Sequence, residues 1–101
     1  MRAMDKRIIA NFNLLVKRSG YTEEEITSSS KKAELVARRQ AIAYILMNTA
    51  EYEVSLRDVV WLLNKDHSTV IYSVKKVEDL LSAGDTLMVG VVKHLRNEAL
   101  R

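Results

Sequence analysis

The absence of proline is the feature that most constrains how this chain folds. Its 101 residues include no proline, and its three glycines stand at positions 20, 84 and 90. Because proline and glycine are the strongest local interruptions of regular structure, long helices can form between them. Apolar residues recur at intervals of three and four almost throughout, which is the period of an amphipathic helix. The sequence therefore predicts a compact all-α fold of about six helices, in a single domain over residues 1–101.

Residues of the capping type mark where the helices begin and end. Thr22 and Ser55 each have an acidic residue three positions later, as in a capping box, and Asp66 is placed to cap the helix that follows it. Gly20 and Gly84 are placed to end helices. The predicted helices span about 4–18, a short segment after Thr22, 33–48, 55–63, 67–82 and, after Asp85 or Thr86, a last segment to about 99.

The apolar faces of these helices predict one core. We expect Trp61, Tyr44 and Tyr52 to pack structurally rather than to act at a binding site. The last helix has more apolar residues than one buried stripe needs, which makes it a candidate surface for a partner or a second copy. Its apolar residues are Leu87, Met88, Val89, Val91 and Val92. The other residues expected inward are Ile8, Ile9, Phe12, Leu15, Val16, Leu35, Ala41, Ile42, Ile45, Leu46, Leu56, Val59, Val60, Leu62 and Leu63.

Composition argues against several classes of protein. Without cysteine, the chain forms neither disulfides nor thiolate metal sites. The longest apolar run, 41–47, is far shorter than the roughly 20 residues that cross a bilayer, and the N-terminus does not resemble a signal peptide. We therefore expect a cytoplasmic protein that does not contact membranes. His67 and His94 are too isolated to predict a metal site, so we expect no metal and no cofactor.

The charge balance favours a test of nucleic-acid binding. The formal net charge is +3 and the pI is about 9.3, and a pI above roughly 9 is typical of small nucleic-acid-binding domains. No segment forms a basic tail. Any basic patch must therefore be assembled by folding.

Two predicted helices, 55–63 and 67–82, are separated by three residues and have the size of a helix-turn-helix. Asn64 stands in the turn, where glycine is usual, and asparagine tolerates the left-handed conformation better than most residues. On a helical wheel the second helix has a core stripe and an opposite polar face. The stripe consists of Val70, Val74, Val77 and Leu81, and the polar face of Ser68, Thr69, Tyr72, Lys75, Lys76 and Asp79, with His67 at the N-terminal end.

Such a face has two interpretations. Hydroxyl, imidazole and ammonium groups can bind base edges and phosphates in a major groove, as can the free backbone amides of residues 67–69. The same composition is also typical of a solvated helix face. The wheel alone leaves both open.

The sequence of this helix resembles a known family. Residues 66–78, DHSTVIYSVKKVE, are similar to the element that opens the recognition helix in domain IV, the C-terminal DNA-binding domain of the DnaA replication initiators. Three other segments are similar to the same family, namely KKAELVARRQ at 31–40, AIAYIL at 41–46 and SLRDVVWLL at 55–63. The resemblance runs without gaps from about residue 22 to residue 78. It implies a Trp-repressor-like helix-turn-helix at about 55–82.

The resemblance also implies a DNA-binding surface with two parts. Asp66, His67 and Ser68 match family residues that contact bases in the major groove, and Lys31 matches a basic loop residue in the adjacent minor groove. Arg39 matches a residue that lies against the DNA from the long helix. The complete set of implied DNA-binding residues is Lys31, Lys32, Arg39, Gln40, Lys65, Asp66, His67, Ser68, Thr69, Tyr72, Ser73 and Lys76.

The chain also departs from the family. Lys31 stands where many initiators have arginine, and Asn64-Lys65 replaces a frequent glycine-containing pair. No G-x-x-x-x-G-K-[ST] motif occurs, so we expect no nucleotide binding, no ATP hydrolysis and no other enzymatic activity. The resemblance therefore describes domain IV without the AAA+ ATPase, either as a free-standing bacterial or phage protein or as a fragment.

Two functions follow as hypotheses. The first is sequence-specific binding of double-stranded DNA at a DnaA-box type of site, as a monomer, in replication initiation or its regulation. The alternative is a protein-interaction module that binds a replication or regulatory partner through the same helix face or through the last helix, which is also the surface expected for any self-association.

Overall fold

The structure is a computed structural model that describes residues 3–98. This part of the chain contains six helices and no strand, as the sequence predicted. The helices are α1 (Lys6–Ser19), α2 (Glu23–Ile26), α3 (Ala33–Met47), α4 (Leu56–Leu63), α5 (His67–Ser82) and α6 (Thr86–Leu95). Within the described range, no helix is long and apolar enough to span a membrane.

The predicted capping residues start the helices as expected. Thr22 and Ser55 form complete capping boxes, and the carboxylates of Asp66 and Asp85 accept backbone N–H groups of α5 and α6. A side-chain oxygen at this position satisfies one of the amides that a helix leaves free at its start. Helix α3 differs, because its N-cap residue Lys32 makes no capping hydrogen bond.

The core is arranged around α3, which packs against all five other helices. Its residues Ile42 and Leu46 are fully buried, and α1 adds Ile8, Phe12 and Leu15 from the expected face. A central helix surrounded on all sides has little room for polar residues, which is why the 41–46 run is almost entirely apolar. The prediction of one core is confirmed.

Four details of the sequence prediction are wrong. Trp61 was expected to be packed but is 70% exposed, and Ile9 lies at the margin of its helix face rather than in the core. The last helix ends at Leu95 rather than near Ala99, because Asn97 has a φ of 58°; Ala99 itself lies outside the described residues. The surplus of apolar side chains expected on the surface of α6 is also wrong, because only Leu87 among them is exposed. Val89 is half-buried, and the buried ones are Met88, Val91, Val92 and Leu95. The structural roles of Tyr44 and Tyr52, by contrast, are confirmed by their packing against the core.

The turn between α4 and α5 depends on Asn64. Its φ and ψ of 54° and 46° place it in the left-handed region, and its N–H donates to the carbonyl of Trp61 at 3.4 Å. The next residue, Lys65, donates its N–H to the carbonyl of Val60 at 3.3 Å. Helix α4 therefore closes with two backbone hydrogen bonds before Asp66 starts α5, and the angle between the two helices is fixed by a left-handed residue.

The loop between α2 and α3 is held by a buried cation. Arg39, on α3, is only 7% exposed, and its guanidinium donates to the carbonyls of Ile26 at 2.6 Å, Ser30 at 3.1 Å and Glu25 at 3.3 Å. Burial lowers the pKa of this group, because desolvation disfavours the charged form. Arg39 thus replaces the missing cap of α3 as the anchor of the loop.

We expect Asn64→Val to destabilise the protein by about 1 to 2 kcal/mol, since a β-branched residue is strained in the left-handed region. Asn64→Gly should be neutral or slightly stabilising, because glycine adopts this conformation without strain. Urea unfolding followed by circular dichroism measures both. Asn13→Val, at an exposed helical position of α1, is the matched control and should change the free energy of unfolding by less than half as much as Asn64→Val. Equal losses at both positions would contradict a role for backbone conformation.

We expect Arg39→Met to lower the free energy of unfolding by about 2 to 4 kcal/mol, since it leaves three carbonyls without their donor. The matched control is Arg38→Met at the neighbouring position, where the guanidinium makes one long hydrogen bond within its own helix. That variant should lose well under half as much. A loss at Arg39 no larger than that at Arg38 would show that the buried guanidinium does not hold the loop.

Candidate nucleic-acid interface

The N-terminus of α5 presents two polar side chains beside a capping carboxylate. Oδ1 of Asp66 accepts the N–H of Thr69 at 2.7 Å, and His67 and Ser68 between them are exposed. Hydrogen bonds from the side chain and backbone of Thr69 lower the pKa of the Asp66 carboxyl, so it stays an anion and an acceptor at neutral pH. Because the amide of Thr69 donates to Asp66, it is not free to bind DNA. The expectation of three free amides at residues 67–69 is therefore wrong for Thr69.

The outer face of α5 continues from this end. Ser68, Thr69 and Lys76 are exposed, and Tyr72 is 60% exposed. Lys75 forms an ion pair with Asp79 at 2.8 Å, which leaves Lys76 as the lysine of this face with no carboxylate partner among the described residues. The polar face predicted from the wheel is therefore solvent-accessible along the first three turns of the helix.

Ser73 is not part of this outer face. Its side chain is 6% exposed, and it lies between Val70 and Val77, which are also buried. Residues three and four positions apart share one side of a helix, so Ser73 belongs to the inward stripe. The outer edge of the predicted stripe, Val74 and Leu81, is half-buried.

The loop between α2 and α3, residues 27–32, supplies the second cluster of cations and is named the basic loop. Lys31 and Lys32 are both exposed, whereas Gln40 on α3 is half-buried. Local hydrogen bonds to serine side chains order the backbone here. Ser28 Oγ accepts the N–H of Ser30 at 3.2 Å, and Ser30 Oγ accepts the N–H of Lys32 at 3.3 Å. These turns present the two lysines to solvent.

Lys65, just before the cap of α5, lies between the two clusters. Its Nζ donates to the carbonyls of Ser28 at 2.8 Å and Thr27 at 2.9 Å, and its side chain is partly buried. Burial lowers the pKa of Lys65, and the nearby positive charges of Arg39 and Lys31 lower it further. The ammonium group therefore faces backbone carbonyls of the basic loop.

The structure thus separates the predicted site residues into two groups. One group is exposed, or half-buried in the case of Gln40: Lys31, Lys32, Gln40, Asp66, His67, Ser68, Thr69, Tyr72 and Lys76. In the other group, Arg39 and Lys65 use their charged groups on backbone carbonyls and Ser73 is buried. Direct DNA contacts by Arg39, Lys65 and Ser73 stay predictions that this geometry does not favour.

Two exposed residues near the interface were not predicted as part of it. Ile71 follows Val70 on α5 and is 56% exposed, and Arg57 is exposed in the first turn of α4. In helix-turn-helix proteins the first helix crosses the DNA backbone. Arg57 is the second residue of α4, the first helix of this pair. A basic residue at the start of that helix is the sequence signal that could have identified it.

Comparisons with known proteins agree with this architecture. A protein-family model described as "Bacterial dnaA protein helix-turn-helix" matches residues 12–77. That range contains the capped turn between α4 and α5, the basic loop and the first turns of α5.

Several curated relatives are named chromosomal replication initiator protein DnaA. The one from Kosmotoga olearia is 36% identical over 68% of this chain and 15% of its own length, and one from Thermus thermophilus is 33% identical over 76% and 17%. The one from Thermotoga sp. strain RQ2 is 30% identical over 100% of this chain and 22% of its own length. The chain thus spans less than a quarter of the length of these relatives.

The family match covers well over half of the chain and includes both helices of the predicted DNA-binding unit with their turn. On this basis, the chain belongs to the bacterial DnaA helix-turn-helix family.

Proposed function

We propose that this domain binds double-stranded DNA sequence-specifically, at a site of the DnaA-box type, in replication initiation or its regulation. The observation that carries the proposal is the exposed N-terminus of α5, where His67 and Ser68 project beside the anionic cap Asp66. Membership of a DnaA helix-turn-helix family supports DNA binding as the general activity.

In the major groove, the first turn of α5 reads the bases. Imidazole and hydroxyl groups can both donate and accept hydrogen bonds, and the Asp66 carboxylate can accept from the exocyclic amine of cytosine. Tyr72 and Lys76 follow on the same exposed side, and we assign to them contacts with the DNA backbone. These phosphate contacts fix the register of the helix, whereas His67, Ser68 and Asp66 supply discrimination.

In the minor groove, the basic loop reads shape. Lys31 and Lys32 are exposed cations on an ordered loop, and a narrow A·T-rich minor groove attracts such cations through its negative potential. Gln40 on α3 completes this side with an amide that can reach a phosphate. The domain acts as a monomer with this pair of elements, in the bacterial cytoplasm and without a nucleotide of its own.

A second candidate function is docking of a protein partner through α6. Leu87 is 68% exposed beside a shallow cavity of about 240 Å³ that Arg38 and His94 also line. Light scattering over a wide concentration range tests the case in which that partner is a second copy of this chain. An unchanged mass together with specific DNA binding would favour the first proposal.

We expect His67→Ala and Ser68→Ala to reduce the preference for a box duplex over a scrambled duplex by about tenfold each, because one good base contact is worth about 1 to 3 kcal/mol. Fluorescence anisotropy with both duplexes at two salt concentrations measures this. Affinity for the scrambled duplex should stay close to that of the unchanged protein, since phosphate contacts remain. The matched control is Ser82→Ala, at the exposed far end of α5. Equal weakening on both duplexes would contradict base reading by these residues.

We expect Lys31→Ala to weaken binding and to lower the slope of log K against log salt concentration by about 1, since one cation no longer displaces a counterion. Lys31→Arg should bind an A·T-rich flank at least as tightly as the unchanged protein, because arginine is favoured in narrow minor grooves. Lys17→Ala, at an exposed position near the end of α1, serves as the control. A slope unchanged by Lys31→Ala would remove this lysine from the DNA interface.

A further inference from the structure

We propose that Lys65 is a positioning residue that couples the two DNA-binding elements, by holding the basic loop in a fixed place relative to the recognition helix α5. The inference rests on the proposed function, because it assigns the basic loop and α5 to one DNA site. It also changes the role of Lys65, from the phosphate contact that the family resemblance implies to an internal tie.

Three parts of the helix-turn-helix region meet at Lys65. Its N–H is tied to the end of α4 through the carbonyl of Val60 at 3.3 Å, and the following residue, Asp66, caps α5. Its Nζ reaches the carbonyls of Thr27 and Ser28 at 2.9 and 2.8 Å. A movement of the loop away from α5 must therefore break both of these hydrogen bonds.

Arg39 holds the same loop through other carbonyls. Its guanidinium donates to the carbonyls of Glu25, Ile26 and Ser30, whereas Lys65 donates to those of Thr27 and Ser28. The two cations donate to different carbonyls, so neither replaces the other. Arg39 ties the loop to α3, and Lys65 adds the tie to the turn of the helix-turn-helix.

The donors of Lys65 are already used within the protein. An ammonium group has three donors, and besides the two short contacts the Nζ lies 3.4 Å from the carbonyls of Leu63 and Asn64. To contact a phosphate, the ammonium group would have to break its hydrogen bonds to the carbonyls of Thr27 and Ser28. Its place among carbonyl dipoles thus favours a structural role over a DNA contact.

The benefit of such a tie is preorganisation. A loop that is already ordered does not lose conformational entropy when it enters a groove, so more of its contact energy appears as affinity. Helix α3 has no side-chain cap, and the serine hydrogen bonds beside Lys31 and Lys32 act only within the loop itself. The position of these lysines relative to His67 and Ser68 therefore depends on ties from a distance.

The first test needs no DNA. Trypsin cleaves after lysine, so the rate of cleavage within residues 31–32, followed by mass spectrometry, reports how often the loop opens. Lys65→Met should raise this rate several-fold in a protein that circular dichroism shows to be folded, and Lys65→Gln serves in its place if the methionine variant melts too low. Lys6→Met, at an exposed lysine in the first turn of α1, should leave the rate unchanged. An unchanged rate in the Lys65 variant would overturn the proposal.

The second test separates positioning from phosphate contact. Lys65→Met should weaken binding to the box duplex by about tenfold, and Lys31→Ala should cost less affinity, and lower the salt slope by less, in the Lys65→Met background than alone, as expected for coupled residues. A slope lowered by about 1, with additive losses, would instead show that Lys65 contacts a phosphate and would overturn the inference. If the unchanged protein does not prefer the box, the proposed function fails, whereas the trypsin experiment still decides the coupling.

Discussion

The buried guanidinium of Arg39 is the interaction on which the proposed DNA-binding side of this domain depends. Moving a cation out of water costs several kcal/mol unless hydrogen bonds compensate it. Here the compensation comes from three backbone carbonyls of α2 and the loop after it. Because these carbonyls belong to one short segment, satisfying the charge also fixes the path of that segment across α3. The exposed Lys31 follows directly, so its position results from the burial of a charge on another helix.

Helix α5, the proposed recognition helix, has a different kind of support. Val70, Ser73 and Val77 bury one side of α5, and α5 packs against α3, α4 and α6, so its axis is set by core packing. Its start is set by local chemistry, with Asn64 in the left-handed region and Asp66 on the amide of Thr69. Packing and capping agree on the same register, which is the consistency expected of a sequence that specifies one structure.

Much of this could be predicted from the sequence, because caps and apolar periodicity are local signals. The starts of α2, α4, α5 and α6 were correct for that reason. The roles of Arg39 and Lys65 could not be predicted, since the carbonyls that they hold in α2 and the loop after it lie 9 to 38 residues away and a carbonyl has no signature in the sequence. Trp61 was assigned to the core from its residue type, but on α4 the inward positions are Asp58, Val59, Leu62 and Leu63. At about 100° per residue these four positions cover an arc of about 140°, and Trp61 lies about 130° from the centre of that arc, on the outer side.

The cations of this surface also differ in what they cost the fold. Lys31 and Lys32 are exposed and solvated, but Lys65 is partly buried near Arg39 and Lys31, and both burial and these charges lower its pKa. A base whose pKa falls on folding opposes folding while it is charged, and this cost lessens as the pH rises through its folded-state pKa. The carbonyls of Thr27 and Ser28 offset part of the cost at neutral pH. A DNA phosphate close to the basic loop would offset more of it without touching Lys65, because opposite charges attract through space. On this account, DNA binding and the order of the basic loop stabilise each other through a lysine that stays within the protein.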